Sequence, residues 1–301
     1  MKDTVIVRIQ WWLWNQMFQY AIWKAIVTKN KSELFLDLSE LSSKKDSKRE
    51  CELNLLNTKY SIHNKNDVDF SYEPKKLINF YIKKLLWKIP YKVIQERKLI
   101  NIIWDKLHIN TWWYNFHPEF LNTQENSYLI WFFQSYKYFE DIKEDIVKDF
   151  SPKKAISWRN KELLEKLKWK ITCSIHVRRW DFSWWYHWFC SSEYYKKAVS
   201  TIKDKFENIT FLVFSNDIKW CKENFIWDEY IFVDWNTWKE SYRDMVLMSK
   251  CSHNIIANSS FSWRWGFLNQ NKNKIVIAPK KWLNVNYIDT SDLIPNEWIC
   301  L

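Results

Sequence analysis

Two adjacent arginines, Arg178 and Arg179, end a short apolar run within His176-Val177-Arg178-Arg179-Trp180-Asp181. Guanidinium forks fixed at a strand end match the oxygens of a diphosphate. Adjacent side chains on a strand diverge, so one arginine is expected to face a ligand and the other to pair with Asp181. Asn258-Ser259-Ser260-Phe261-Ser262 offers hydroxyls and backbone amides where a helix begins. That chemistry serves a simple helix cap or an anionic oxygen equally well. Ser215-Asn216-Asp217, at the end of another apolar run, fits either a plain turn or a site that reads a base or ribose edge. His63, His108, His117, His187 and His253 show no ligand spacing, and no carboxylate pair sits at a strand end. No metal ion or other cofactor is therefore expected. The six cysteines are scattered without a CxxC pair, which argues against a zinc site and a disulfide framework and for free, mostly buried thiols.

A scaffold must deliver these groups to one edge, and the pattern of the second half predicts one. A helix is expected over Asn160–Lys168, and a strand over Ile171–Val177 ends at the arginines. A helix over Ser192–Phe206 leads to a strand over Phe211–Phe214, ending at Ser215. A strand over Tyr230–Val233 and a helix over Ser241–Ser249 precede the strand His253–Ala257, which ends at Asn258. A last strand covers Lys274–Ala278. Such alternation builds a parallel sheet with helices on both faces, and ligands gather at the carboxyl ends of its strands. In the first half, strands are expected over Thr4–Ile9, Leu34–Leu38 and Tyr128–Phe133. Helices are expected over Gln16–Thr28, over Leu77–Leu86 and from Ser135 into the 140s. Ser151-Pro152-Lys153-Lys154 is a polar break at mid-chain, which sets the expected domains at 1–150 and 151–301.

Of the 301 residues, 47% are hydrophobic and 27% charged, a balance that excludes disorder and coiled coil as the main state. No run of 18 apolar residues occurs, and the N-terminus lacks the apolar core of a signal peptide, so a cytoplasmic protein is expected. The net charge of +11 fits an anionic partner: a nucleotide, a phosphorylated sugar, nucleic acid or an acidic membrane surface. One count is anomalous. About 21 glycines are expected at this length, yet the chain has only Gly266 and carries 23 tryptophans. Many lie among Asn, Asp and Ser in turns, as in Trp11-Trp12-Leu13-Trp14-Asn15 and Asp234-Trp235-Asn236-Thr237-Trp238. Turns want glycine for its access to positive φ, so most of these tryptophans are read as standing for glycines of a parent sequence. With glycine restored, Gln10–Gln16 becomes a strand–GGLGN–helix element. It resembles a dinucleotide fingerprint only weakly, because the spacing is not G-x-G-x-x-G and no acidic residue closes the next strand in the usual way.

Read this way, Ile9 to Ala21, Trp131-Phe132-Phe133-Gln134-Ser135, His176 to Asp181, Cys190-Ser191, Tyr194-Tyr195, Phe214 to Asp217, Asp244-Met245, Asn258 to Trp263 and Pro279 to Trp282 together resemble family 11 glycosyltransferases, the bacterial-type α-1,2-fucosyltransferases. The likeness spans the chain except residues 40–110. It departs where glycines of the first loop and of the H-x-R-R-G-D motif are Trp11, Trp12, Trp14 and Trp180, and where Trp-Gly-Ala-Trp is Arg264-Trp265-Gly266-Phe267. Trp263, Trp282 and Trp298 read as native tryptophans.

The resemblance implies a GT-B-like α/β fold of two Rossmann-type domains with parallel sheets, the N-terminal one on the acceptor side and the C-terminal one binding GDP-fucose. It implies transfer of L-fucose from GDP-β-L-fucose, with inversion, to the 2-hydroxyl of a terminal galactose in an O-antigen or lipopolysaccharide-type glycan. No metal takes part, and contact with the inner face of an anionic membrane is compatible with the charge. On this reading Arg178 and Arg179 hold the diphosphate, while His176 and Asp181 shape their loop. Asn15, with Gln16 beside it, lies near the transferred sugar. Asp217 and Ser215 serve the nucleoside, and Asn258, Ser259, Ser260 and Phe261 form the phosphate turn. The tryptophan-bearing loops are expected to impair activity. The contrasting class, a non-enzymatic binder of single-stranded nucleic acid, rests on basic charge with abundant aromatics.

Overall fold

The alternating apolar runs resolve, in a computed structural model, into two units, Met1–Phe150 and Ser151–Leu301. The structure describes residues 4–30, 33–41, 50–63, 107–109, 114–123, 127–130, 132–179, 190–226, 229–237, 240–284 and 289–301. Each unit carries a parallel sheet, giving an α/β chain of the GT-B-like class with two Rossmann-type domains.

In the first unit β1 (Thr4–Arg8) leads through α1 (Leu13–Asn30) to β2 (Glu33–Asp37). β3 (Ser61–Ile62), β4 (Leu107–Ile109) and β5 (Ser127–Ile130) complete a sheet of order β3-β2-β1-β5-β4. All its pairings are parallel. Leu13, Met17, Tyr20, Ala21 and Ile26 of α1 are buried, and so are Gln16 and Gln19, as befits a helix at the centre of a core. α1 starts at Leu13, ahead of the Gln16 expected from sequence, because the Glu52 carboxylate accepts the Leu13 N–H at 2.9 Å. Past β5, two short 3-10 turns (Tyr136–Tyr138 and Glu140–Ile142) precede α2 (Lys143–Asp149), where the sequence predicts one continuous helix. The helix expected over Leu77–Leu86 lies outside the described residues.

In the second unit α3 (Trp158–Lys166) precedes β6 (Ile171–Val177), then come α4 (Ser192–Lys203), β7 (Ile209–Ser215), α5 (Ile218–Asn224) and β8 (Tyr230–Phe232). α6 (Tyr242–Lys250), β9 (His253–Ile255), α7 (Ser260–Leu268), β10 (Val276–Ala278) and β11 (Ile299–Cys300) follow. The parallel order β11-β10-β9-β6-β7-β8 is the doubly wound Rossmann order. β6 and β7 are buried almost end to end, as a sheet covered on both faces requires. Cys173, Ile175 and Val177 pack with Tyr195, Ala198, Ile202, Phe211 and Val213 in the core.

α5 goes beyond the sequence reading, α7 is the helix expected to begin after Asn258, and each begins at a side-chain cap. Asp217 accepts the Trp220 N–H at 3.1 Å, and Ser259 accepts the Phe261 N–H at 3.3 Å. At the far end of α7, the Lys274 ammonium donates to the carbonyls of Gly266, Phe267 and Asn269 at 2.7, 3.2 and 2.7 Å. That cation satisfies carbonyls left over at the helix terminus. Gly266 lets α7 lie against β10, since a Cβ there would stand 2.9 Å from Val276 Cγ1.

Candidate functional site

The second sheet reverses its winding direction once, and such a switch point opens a crevice at the carboxyl ends of the flanking strands. In the second unit the reversal falls between β6 and β9. His176, Arg178 and Arg179 close β6, and Asn258-Ser259-Ser260 follows β9. The two segments meet, with the rings of His176 and Phe261 centred 4.9 Å apart. The sequence-predicted motifs of this half, Asp181 aside, lie on this edge; Asp181 lies outside the described residues.

The two arginines are held differently. Arg179 donates from Nε to Asp217 Oδ2 at 3.1 Å and from its backbone to Asn216 Oδ1 at 3.0 Å. Its guanidinium also lies 4.1 Å from the centre of the Trp220 ring. An aspartate just past the end of β7 thus pairs Arg179; Asp181, the partner expected from the sequence for one of the two arginines, lies outside the described residues. Asp217 is buried, also receives the Trp220 N–H, and donates its own N–H to Ser215 Oγ at 2.8 Å. Ser215, Asn216 and Asp217 therefore clamp the β6 loop to β7. Arg178 acts electrically on His176: burial, joined by the Arg178 charge, pushes the imidazole down to about 3. His176 is neutral at physiological pH, and its buried Nδ1 has no hydrogen-bond partner among the described residues. A neutral imidazole of such low basicity is poorly matched to proton abstraction but suits a hydrogen bond.

The turn after β9 divides its labour. Asn258 is buried, donates to the Trp282 carbonyl at 3.0 Å and accepts from Cys190 Sγ at 3.4 Å. Ser259 is the cap of α7. Half-buried Ser260, the first residue of α7, has a hydroxyl without a hydrogen bond among the described residues. The opening amides of α7 and this hydroxyl make the anion-holding end of the site.

One further acid lies in the first turn of α6, and helices of a parallel sheet begin on the edge where its strands end. Asp244 accepts the Asn236 amide at 2.8 Å, and Asn236 meets Asn160 at 3.3 Å. Burial raises Asp244 to about 7. The signal for this group was the acid beginning Asp244-Met245-Val246-Leu247-Met248, to which the sequence reading gave no role.

In the first unit β1 and β5, far apart in sequence, lie side by side in the sheet. Trp11 takes a φ of 70° in the loop after β1. Gln16 is fully buried, donating to the carbonyls of Trp11 (2.8 Å) and Glu50 (3.2 Å) and accepting the Glu52 N–H (2.9 Å). It therefore braces the loop from inside. Half-buried Asn15 accepts a 2.7 Å hydrogen bond from Gln134 Nε2, joining the loops after β1 and β5. With the Glu52 carboxylate already at the N-terminus of α1, this loop is not built to hold a diphosphate.

The model described as "Glycosyl transferase family 11" matches residues 4–301. The chain belongs to this family. The family 11 chain is 31% identical over 310 residues to an alpha-1,2-colitosyltransferase of Escherichia coli, covering 99% of this chain and 98% of the relative. It is 30% identical to the O-antigen biosynthesis glycosyltransferase WbnK of Escherichia coli, covering 96% and 97%. A galactoside alpha-(1,2)-fucosyltransferase 1 of Leontocebus fuscicollis is 23% identical over 148 residues, 44% of this chain and 40% of that one. Membership makes the protein a glycosyltransferase and sets aside the nucleic-acid binder. Among the described residues, no helix of this glycosyltransferase is long and apolar enough to cross a membrane.

Proposed function

We propose that the protein transfers L-fucose from GDP-β-L-fucose, with inversion, to the 2-hydroxyl of a terminal galactose in an O-antigen-type glycan. The observation that carries this reading is the meeting of the Arg178–Arg179 strand end with the Ser259–Ser260 helix start at the switch point of a Rossmann-order sheet. GDP gains negative charge as the sugar departs with oxocarbenium character, and fixed cationic and amide donors stabilise that charge. Arg178 faces the diphosphate while Arg179, tied to Asp217, holds the loop. The α7 amides and Ser260 take phosphate oxygens, and neutral His176 supplies a hydrogen bond rather than a proton. In the resemblance Asp217 serves the nucleoside; its bonds to Arg179 and Trp220 support a share in shaping that subsite. No metal is required in this scheme, because guanidinium groups carry the countercharge. The net charge of +11 suits work beside the anionic inner face of a membrane.

A second donor is favoured by one relative, whose name specifies colitose. Colitose is L-fucose without its 3-hydroxyl, so the same diphosphate site serves both. The test incubates the purified chain with lactose and either GDP-L-fucose or GDP-colitose, beside a variant carrying Trp11→Gly, Trp12→Gly, Trp14→Gly and Trp180→Gly. Fucosyl transfer to the galactose 2-hydroxyl is expected, faster in the variant. Preference for GDP-colitose moves the reading to the second donor. Absence of GDP binding and of transfer in both proteins refutes it.

A further inference from the structure

We propose that Gln134 is a positioning residue: it orients the Asn15 carboxamide so that its NH2 group meets a hydroxyl of a hexose at the carboxyl ends of β1 and β5. The inference rests on the function proposed above and assigns that function its sugar-reading pair in the first unit.

Asn15 sits on the first turn of α1, which follows β1, and Gln134 in the loop that follows β5; these adjacent parallel strands are paired from Val5–Ser127 to Val7–Leu129. Gln134 reaches Asn15 through an unusual turn. Phe133 adopts a φ of 50°, left-handed backbone that a large side chain seldom takes. It holds that conformation while fully buried, its ring edge-on to Phe120 at 5.4 Å and Tyr138 at 5.9 Å. The Ser135 N–H donates to the Phe133 carbonyl at 2.9 Å, closing a tight turn around Gln134. Backbone strain that packing enforces is characteristic of functional loops.

The turn places Gln134, only 8% exposed, with Nε2 2.7 Å from Asn15 Oδ1. An amide side chain has one accepting and one donating end. Because Asn15 Oδ1 is the acceptor here, its Nδ2 becomes the outward donor. Asn15 is half-buried on the first turn of α1, whose leading N–H is already taken by Glu52. The ligand it suits is therefore a neutral hydroxyl acceptor rather than an anion. Two hexoses are available in the proposed reaction, the transferred sugar and the acceptor galactose, and both offer such hydroxyls.

Gln134→Glu inverts the pair without changing its shape. A carboxylate only accepts, so Asn15 must turn its NH2 inward and present oxygen outward. We expect kcat/KM for transfer to fall tenfold or more while GDP affinity and thermal midpoint stay at parent values. Asn15→Ala, which removes the contact outright, should lose at least as much, and adding Gln134→Glu to it should lose nothing further. Deoxy sugars identify the hydroxyl, since removing the group that Asn15 contacts should slow the parent and leave Gln134→Glu unaffected. A defect in donor hydrolysis without acceptor assigns the transferred sugar. A defect confined to transfer assigns the galactose.

Parent-like kcat/KM in folded Gln134→Glu, or additive losses in the double variant, overturns the positioning role and leaves the proposed function standing. A parent that binds no GDP overturns the function and this inference with it.

Discussion

Trp11 allows a test of whether the loop after β1 was built for glycine. Its φ is 70°, and its carbonyl is pinned by Gln16 Nε2 at 2.8 Å, so the backbone cannot relax out of the left-handed region. The side chain is 51% exposed and touches Phe132 edge-on, with ring centres 5.7 Å apart. Substituting Trp11 by Gly or by Ala removes the same aromatic contact, worth about 0.5–1.5 kcal/mol, so that loss cancels when the two variants are compared. What remains is the backbone. Where φ is negative, Ala exceeds Gly in stability by about 0.4–1 kcal/mol, because glycine loses more freedom on folding. A left-handed residue with a Cβ costs roughly 1–2 kcal/mol, enough to reverse that order. Trp11→Gly should therefore be more stable than Trp11→Ala by about 0.5–1 kcal/mol. Trp12 is a neighbouring control: it is equally exposed at 54% and is not among the described residues with positive φ. There Ala should exceed Gly. Urea titration reads the difference as a midpoint shift of a few tenths of a molar at unchanged slope. Ala matching or exceeding Gly at position 11 would refute the reasoning.

Arg178→Ala should lower transfer tenfold to hundredfold, the effect of about 1.5–3 kcal/mol for one charge-assisted hydrogen bond. Arg179→Ala should also lower the urea midpoint, because it leaves buried Asp217 without its countercharge; parent-like rates in both variants would remove the diphosphate assignment. EDTA should leave initial rates unchanged, and loss restored by Mg²⁺ or Mn²⁺ would show that arginine does not supply the countercharge alone. Stability against pH should be nearly flat between about pH 4 and 6.5, because two buried groups oppose each other. His176, at about 3 when folded against the usual 6.5, costs stability as pH falls, whereas Asp244, at about 7 against 3.8, returns it at about 1.4 kcal/mol per pH unit. Asp244→Asn should unmask the histidine, steepening the fall from pH 6.5 to 4 beyond the shallow slope that His253, also lowered by burial, gives parent and variant alike; an unchanged profile in urea melts would refute the opposition.

The second sheet was legible because its strands are buried on both faces and read as continuous apolar runs ending at polar clusters. Ile171–Val177 and its neighbours needed no tertiary information. α5 was harder, since it begins within a motif read as a turn or a ligand-reading edge: Asp217 is a turn residue until the amide it caps is seen, whereas the cap at Ser259 was legible. β11, two residues long, pairs only through Ile299 and Cys300, a length at which no periodicity exists. The site shows the same division. Residue type and strand-end position located Arg178, Arg179 and Ser260, but not which partner each takes. The Arg179–Asp217 pair depends on the register of β6 against β7, which pairs Val177 with Ser215. Gln134 lay in a motif the sequence singled out, yet its tie to Asn15 spans 119 residues and follows from β1 pairing with β5. Chemistry in this chain is thus written locally as residue types at strand ends. The pairings that give those residues distinct duties are set by strand order, which brings together loops that are far apart in sequence.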